Sequence, residues 1–86
     1  MSYTVIDVRE PEEYAKGHVA GAINIPPAEL LNGAEKLKLI PKNAQIILYC
    51  LSGSRSNVAM SIMQGLGYTN IKNGINKQHV EVKYDL

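Results

Sequence analysis

Short apolar segments recur along the chain, separated by segments with helical spacing. Residues 3–8 and 44–49 are mostly apolar and rich in β-branched side chains, which is typical of strands buried on both faces. Shorter extended segments occupy residues 22–25 and 70–72. Because strands and helices alternate, we expect parallel pairing through right-handed crossovers. The pattern therefore predicts an α/β fold built on a parallel sheet.

The segments between the strands carry signals for helices. Pro11 marks the first turn of a short helix with acidic residues. Residues 28–40 have apolar positions three and four apart around a central turn signal, which predicts two helical pieces. A longer amphipathic helix follows, with Ser56 as its N-cap and Gly67 as its left-handed terminator. Residues 74–86 are weakly patterned and predict a helical turn followed by a tail.

The length and charge of the chain limit the classes of function that it can have. Eighty-six residues suffice for one domain, so residues 1–86 are expected to share a single core. A net charge of +1 argues against nucleic acid as a partner. The longest apolar run, residues 46–51, is far shorter than the roughly 20 residues of a membrane span. The first residues lack the basic and apolar segments of an export signal, so we expect a soluble protein that does not bind membranes.

Cys50 is the only cysteine of the chain. It therefore has no partner for an intramolecular disulfide and cannot contribute to a multi-thiolate zinc site. A single thiol fits a reducing compartment, and we expect a cytoplasmic location. No metal or organic cofactor is implied.

The segment after the central strand has the composition of an anion-binding loop. Cys50 ends the strand. In a loop that precedes a helix, the free backbone N–H groups point toward the concave side of the loop, where an anion can bind. Gly53 lets the backbone turn, Ser52 and Ser54 add hydroxyl donors, and Arg55 adds a positive charge. Each of these features favours the thiolate form of the cysteine over the thiol.

The required stabilisation is modest. Lowering the thiol pKa from about 8.5 to about 6.5 takes roughly 2.7 kcal/mol of preference for the anion. Two or three charge-assisted hydrogen bonds of about 1.5 to 3 kcal/mol each are enough. We therefore expect no general base, and neither His18 nor His79 is placed in the sequence to pair with Cys50.

Charged residues near the end of the first strand are a second point of interest. Asp7 ends that strand on the side where the ligand crevice is expected, so it is a candidate to support the loop by accepting its N–H groups. The alternative, which we favour, is a buried structural carboxylate. Arg9 and Glu13 are four residues apart and predict an ion pair at the start of the first helix.

Four segments in order make the chain resemble a single-domain rhodanese, a member of the rhodanese-like sulfurtransferase family. They are residues 5–14, residues 17–26, the loop 49–56 (Tyr-Cys-Leu-Ser-Gly-Ser-Arg-Ser) and residues 67–71. The resemblance implies a parallel sheet of about five short strands flanked by helices on both faces. It also implies that Cys50 is the nucleophile. The sulfur-binding loop would then comprise Leu51, Ser52, Gly53, Ser54 and Arg55.

The implied reaction is a two-step transfer of sulfane sulfur. Thiosulfate or a related small anion would leave its outer sulfur on Cys50 as a persulfide, and a thiol or cyanide acceptor would then remove it. A protein could also serve as sulfur donor or acceptor. The chain departs from the family after residue 72, because a paired glycine and a downstream tryptophan are common there, whereas this chain has Asn73-Gly74 and no tryptophan.

Three alternative functions stay open at this stage. The first is a carrier that receives its persulfide from another protein, which stays open because a nearly neutral loop with Leu51 and a single arginine attracts a dianion less strongly. The second is a rhodanese-like binding or regulatory module without catalysis. The third is a cysteine phosphatase, which is disfavoured because related phosphatases have a loop one residue longer than the segment between Cys50 and Arg55.

Overall fold

The computed structural model describes residues 2–86, and their strands form one parallel sheet. The strands are β1 (Thr4–Asp7), β2 (Ile23–Asn24), β3 (Ile46–Cys50) and β4 (Ile71–Asn76), in the order β2-β1-β3-β4. The parallel α/β prediction is confirmed. The expected number of about five strands is wrong, because the described residues contain four. The residues between β2 and β3 fold into helical turns and supply no further strand.

Helical segments connect the strands. They are α1 (Pro11–Lys16), α2 (Pro27–Leu31), a 3-10 helix (Glu35–Leu39), α3 (Ser54–Gly65) and α4 (Lys77–Lys83). The two helical pieces expected within residues 28–40 are therefore present. None of the helices described in residues 2–86 is long and apolar enough to cross a membrane.

Strand β3 is buried on both faces because its side chains alternate between two apolar clusters. Leu48 and Cys50 pack with Met63 of α3 on one face, whereas Ile47 and Tyr49 pack with residues such as Val80 on the other. Helices thus cover both faces of the sheet, as expected. The alternation turns Cys50 toward the layer that contains α2 and α3.

Two local predictions are wrong. Residues 74–86 were expected to form a helical turn followed by a tail; a helix, α4, is present, but β4 continues to Asn76 before it and the helix runs to Lys83. The Asn76 side chain caps this helix, accepting a hydrogen bond from the backbone N–H of His79 at 2.8 Å. Ser56 is not the N-cap of α3, since the helix begins two residues earlier and Gly53, with φ of +94°, occupies that position. Capping by glycine leaves the Ser56 side chain free for another role.

Candidate active site

Cys50 lies at the carboxyl end of β3, where the chain turns into α3. Its Sγ atom accepts a hydrogen bond from the backbone N–H of Gly53 at 3.1 Å. The hydroxyl oxygen of Ser56 lies 3.6 Å from the same sulfur. Gly53 reaches this position with a left-handed backbone, which a residue with a side chain adopts only at a cost of roughly 1–2 kcal/mol. The predicted turn of the loop around the sulfur is therefore present.

Opposing effects set the pKa of Cys50. Burial raises the pKa, because an anion loses hydration in the protein interior. The Ser56 hydroxyl group and the backbone N–H groups of Ser56, Ser52 and Gly53 lower it, since each of them is able to donate to a thiolate. The donors outweigh burial and lower the pKa from 9.0 to about 7. About half of the Cys50 population is then ionised at neutral pH.

Cys50 is almost completely shielded from solvent. Only 1% of its surface is exposed, and the residue belongs to the apolar cluster shared with α3. Leu51 beside it is 60% exposed. Cavities of about 200 and 260 Å³ lie elsewhere in the described residues, lined by Tyr3 and Tyr68 among others. The sulfur is thus buried, and its polar contacts come from the loop and the first turn of α3.

The serine hydroxyl groups of the loop are placed differently from the prediction. Ser52 and Ser54 are exposed and their hydroxyl oxygens lie 3.2 Å from each other, so their hydrogen bond joins the two side chains. Ser56, by contrast, is fully buried and is the hydroxyl neighbour of the Cys50 sulfur. Sequence reasoning missed this role because serine near a helix start is also the commonest cap.

Arg55 forms an ion pair with Glu13 of α1. The guanidinium donates twice to the carboxylate, at 2.7 and 3.1 Å. This hydrogen bonding is the largest influence that lowers the pKa of Glu13, to about 2. The predicted pair between Arg9 and Glu13 is therefore wrong, because each residue binds another partner. Arg55 was predicted to add a positive charge that favours the thiolate, but in the structure the carboxylate of Glu13 balances that charge.

Asp7 belongs to a buried network next to the site. Its carboxylate accepts hydrogen bonds from the backbone N–H and the guanidinium of Arg9, at 2.6–3.1 Å, and from the Tyr49 hydroxyl at 2.8 Å. In the described residues its hydrogen bonds do not involve positions 51–55, so the expectation that it accepts from the loop amides is wrong. Asp7 instead ties β1 to β3 one residue before Cys50, which fits the structural alternative.

Asn73 of β4 contacts the loop and was not predicted as a site residue. Its Nδ2 atom donates to the carbonyl of Gly53 at 3.0 Å, and its Oδ1 atom accepts from the Ser56 hydroxyl at 2.6 Å. Asparagine after a short apolar segment gives no signal of such a contact. Pairing of β3 with β4 brings it beside the loop, opposite Leu48.

Metal ligands are not gathered at this site. Within residues 2–86, no three His, Cys, Asp or Glu side chains come close enough together to hold a metal ion. The chemistry available is that of one thiolate surrounded by amide and hydroxyl donors. Such a group can act as a nucleophile toward sulfur or carbon electrophiles.

The chain is similar to known sulfur-transfer proteins. The family model of the rhodanese-like domain matches residues 1–77. Thiosulfate sulfurtransferase PspE of Escherichia coli is 43% identical over 70 residues, which cover 79% of this chain and 64% of that protein. The putative sulfur carrier protein YrkF of Bacillus subtilis is 38% identical over 72 residues, covering 84% of this chain and 37% of that protein.

A solved structure shares the fold as well. The structure described as rhodanese with anions from E. coli is 36% identical in sequence and has a TM-score of 0.79. The alignment covers 91% of this chain and 91% of that one. The chain spans 64% and 37% of the two curated relatives named above. Similarity therefore extends across the fold and the loop, and it leaves other parts of those relatives unmatched.

Proposed function

Because the chain belongs to the rhodanese-like domain family, we propose that it is a sulfurtransferase in which Cys50 carries the transferred sulfur. The observation that carries the proposal is the Cys50 sulfur held at 3.1 Å from the N–H of Gly53, with a pKa of about 7. A thiolate at neutral pH needs no separate base for attack. The similarity to a protein named thiosulfate sulfurtransferase supports the same reaction class.

The first step forms a persulfide. The Cys50 thiolate attacks the outer sulfur of thiosulfate, a new S–S bond forms, and the S–S bond of the donor breaks with its electron pair leaving as sulfite. The donors around the sulfur, Gly53 and Ser56, then stabilise the negative charge of the persulfide. In the second step an acceptor thiolate or cyanide attacks the terminal sulfur and regenerates the Cys50 thiolate. Each step exchanges one sulfur–sulfur bond for another bond to sulfur, so no outside oxidant or reductant is needed.

The direct test is the intact mass of the protein after incubation with thiosulfate. We expect an increase of about 32 Da, one sulfur atom, that disappears on addition of cyanide. Cys50→Ala is the matched control, since it removes the only thiol of the chain. An unchanged mass with every sulfane-sulfur donor would support a binding or regulatory module instead. Turnover of p-nitrophenyl phosphate without sulfur transfer would support a phosphatase.

The ion pair of Arg55 favours a second candidate, a carrier loaded by a persulfide rather than by thiosulfate. Residues 51–55 contain one cation, and Glu13 balances its charge at 2.7 Å. Attraction of a dianion to the loop is weaker than with a free arginine. The similarity to a putative sulfur carrier protein fits this alternative. Loading by glutathione persulfide or a persulfidated protein, with none by thiosulfate, would identify the carrier.

A single charge change separates the two candidates further. Glu13→Gln releases the Arg55 guanidinium, and we expect KM for thiosulfate to fall about fivefold while loading by a neutral persulfide donor changes little. Glu12→Gln is the matched control, because Glu12 is exposed on the same helix and removes the same charge. Equal effects of the two variants would mean that net charge, and not release of Arg55, is responsible.

A cytoplasmic location stays a prediction, based on the single free thiol, which a reducing compartment would keep unoxidised.

A further inference from the structure

The Ser56 hydroxyl group has three neighbours that can accept its one proton. Its oxygen lies 2.6 Å from Asn73 Oδ1, 3.1 Å from the carbonyl oxygen of Gly53 and 3.6 Å from Cys50 Sγ. A hydroxyl group donates a single hydrogen bond at a time, although it can accept others. Which neighbour receives the proton therefore decides whether Ser56 can stabilise the thiolate.

The carbonyl of Gly53 is already satisfied. It accepts from the backbone N–H of Asn57 at 2.9 Å, as the first hydrogen bond of α3, and from Asn73 Nδ2 at 3.0 Å. A carbonyl oxygen has two lone pairs, so both are occupied. Asn73 Oδ1 and Cys50 Sγ are therefore the two acceptors that remain for the Ser56 proton.

The orientation of the Asn73 amide is set by its other partners. The backbone N–H of Ile75 can only donate, and it lies 3.0 Å from Oδ1. The carbonyl of Gly53 can only accept, and it faces Nδ2. The oxygen of the amide must therefore face Ser56, which donates to it over the short distance of 2.6 Å. With this arrangement the Ser56 oxygen faces Cys50 as an acceptor, which suits the thiol form.

Ionisation of Cys50 changes that arrangement. A thiolate has no proton to donate, so a Ser56 oxygen facing it with lone pairs would repel it. The hydroxyl group must turn its proton from Asn73 to the sulfur to stabilise the anion, while Oδ1 keeps the N–H of Ile75. We propose that Asn73 is a positioning residue that competes with the Cys50 thiolate for the single proton of Ser56, and so limits the activation of the sulfur.

The charged groups around the site do not supply the same control. Arg55 of α3 and Glu13 of α1 bind each other, and Asp7 and Arg9 at the end of β1 bind each other. Substitution of Asn73 leaves both ion pairs in place. A change in the ionisation of Cys50 would then be traced to the Ser56 proton.

The experiment measures the rate of Cys50 alkylation by iodoacetamide against pH in four proteins: wild type, Asn73→Ala, Ser56→Ala and the double variant. Asn73→Ala frees the Ser56 proton for the sulfur, so we expect the apparent pKa to fall by about 0.5 to 1 unit. Ser56→Ala removes the donor, so we expect a rise of similar size. In the Ser56→Ala background, Asn73→Ala should cause no fall. A fall of the same size in both backgrounds, or a rise on Asn73→Ala in the wild-type background, would overturn the proposal.

A further variant separates competition from a merely structural role. Asn73→Asp keeps an acceptor for the Ser56 proton and adds a negative charge, so we expect the pKa to rise. If Asn73 only held the loop in place, both Asn73→Ala and Asn73→Asp would weaken the donors and raise the pKa. Opposite directions for the two variants support competition, and the same direction contradicts it. Circular dichroism and thermal unfolding report whether each variant is folded.

The inference rests on the proposed role of Cys50, but its test does not use sulfur transfer. Alkylation measures ionisation of the thiol whether or not the protein accepts sulfur from thiosulfate. Loss of the persulfide mass would therefore count against the proposed function alone. A pKa that does not respond to Asn73→Ala would count against the competition alone.

Discussion

The lowered pKa of Cys50 makes a prediction about stability as well as reactivity. The thiolate is stabilised in the folded protein and not in the unfolded chain. Between the two pKa values, the folded protein therefore binds fewer protons than the unfolded chain. The folded pKa is about 7 and the ordinary value is 9.0. A difference of this size corresponds to about 3 kcal/mol. The contribution is fully present above pH 9 and is lost as the pH falls through about 7.

The perturbation is Cys50→Ala, and the measurement is the free energy of unfolding in urea between pH 6 and pH 9. The difference between wild type and variant isolates the thiol, because other groups titrate equally in both proteins. We expect this difference to shift by about 2 kcal/mol in favour of the wild type from pH 6 to pH 9, because at pH 9 half of the unfolded chains are ionised as well. Measurements stop at pH 9 because burial raises the pKa of Tyr49 to about 12, and tyrosine ionisation in the unfolded chain opposes folding at higher pH. A reductant keeps Cys50 from oxidising.

Alkylation of the native protein gives an independent measure of the same ionisation. Its rate should rise with a midpoint near pH 7, whereas a passive thiol would give a midpoint near 8.5 to 9. A stability difference that is constant from pH 6 to pH 9, or that favours the wild type more at low pH, would refute the reasoning. In that case the hydrogen bonds from the loop would not outweigh the burial of the sulfur.

Two further predictions concern the scaffold. Gly74→Ala should destabilise the protein by about 1–3 kcal/mol in urea unfolding, because a Cβ atom there would overlap the Val80 side chain and lie 2.8 Å from Cγ2 of Ile47. Gly65→Ala is the control: a Cβ atom there meets nothing within 4 Å, so this variant should stabilise helix α3 slightly. An equal loss of stability in both variants would contradict the packing argument. Arg9→Met should cost about 3–5 kcal/mol in the same measurement because it leaves the buried Asp7 carboxylate without its cation, and a loss below about 1 kcal/mol would contradict this reasoning.

The order of strands and helices could be predicted because the pattern is local. Residues 44–49 are apolar without interruption except Gln45, and the structure buries β3 on both faces. The end of the chain could not be predicted in the same way. The segment Lys-Asn-Gly-Ile-Asn at 72–76 has no strand pattern, yet β3 supplies its hydrogen-bond partners and Gly74 fits where no side chain would. Tertiary pairing overrides weak propensity there.

At the site, the position of Cys50 and the turn of the loop followed from sequence neighbours, whereas the side-chain partners did not. Arg55 and Glu13 are 42 residues apart, and the nearest candidate by spacing, the Arg9–Glu13 pair, proved wrong. Asn73 lies 17 residues from Ser56. No rule of spacing along one helix or strand connects such pairs, since the crossover of α3 and the register of β4 bring them together.

Burial and activation of Cys50 are compatible because they act through different atoms. The side chain packs among apolar residues such as Met63, which explains its 1% exposure. The same burial removes competing water, so each donor to the sulfur stabilises an anion more strongly than it would at the surface. A cysteine at the end of a central strand can therefore be both a core residue and a nucleophile. Two donors distinguish this cysteine from an inert one. They are the N–H of Gly53, which is directed at the sulfur, and the hydroxyl group of Ser56, for whose proton Asn73 competes.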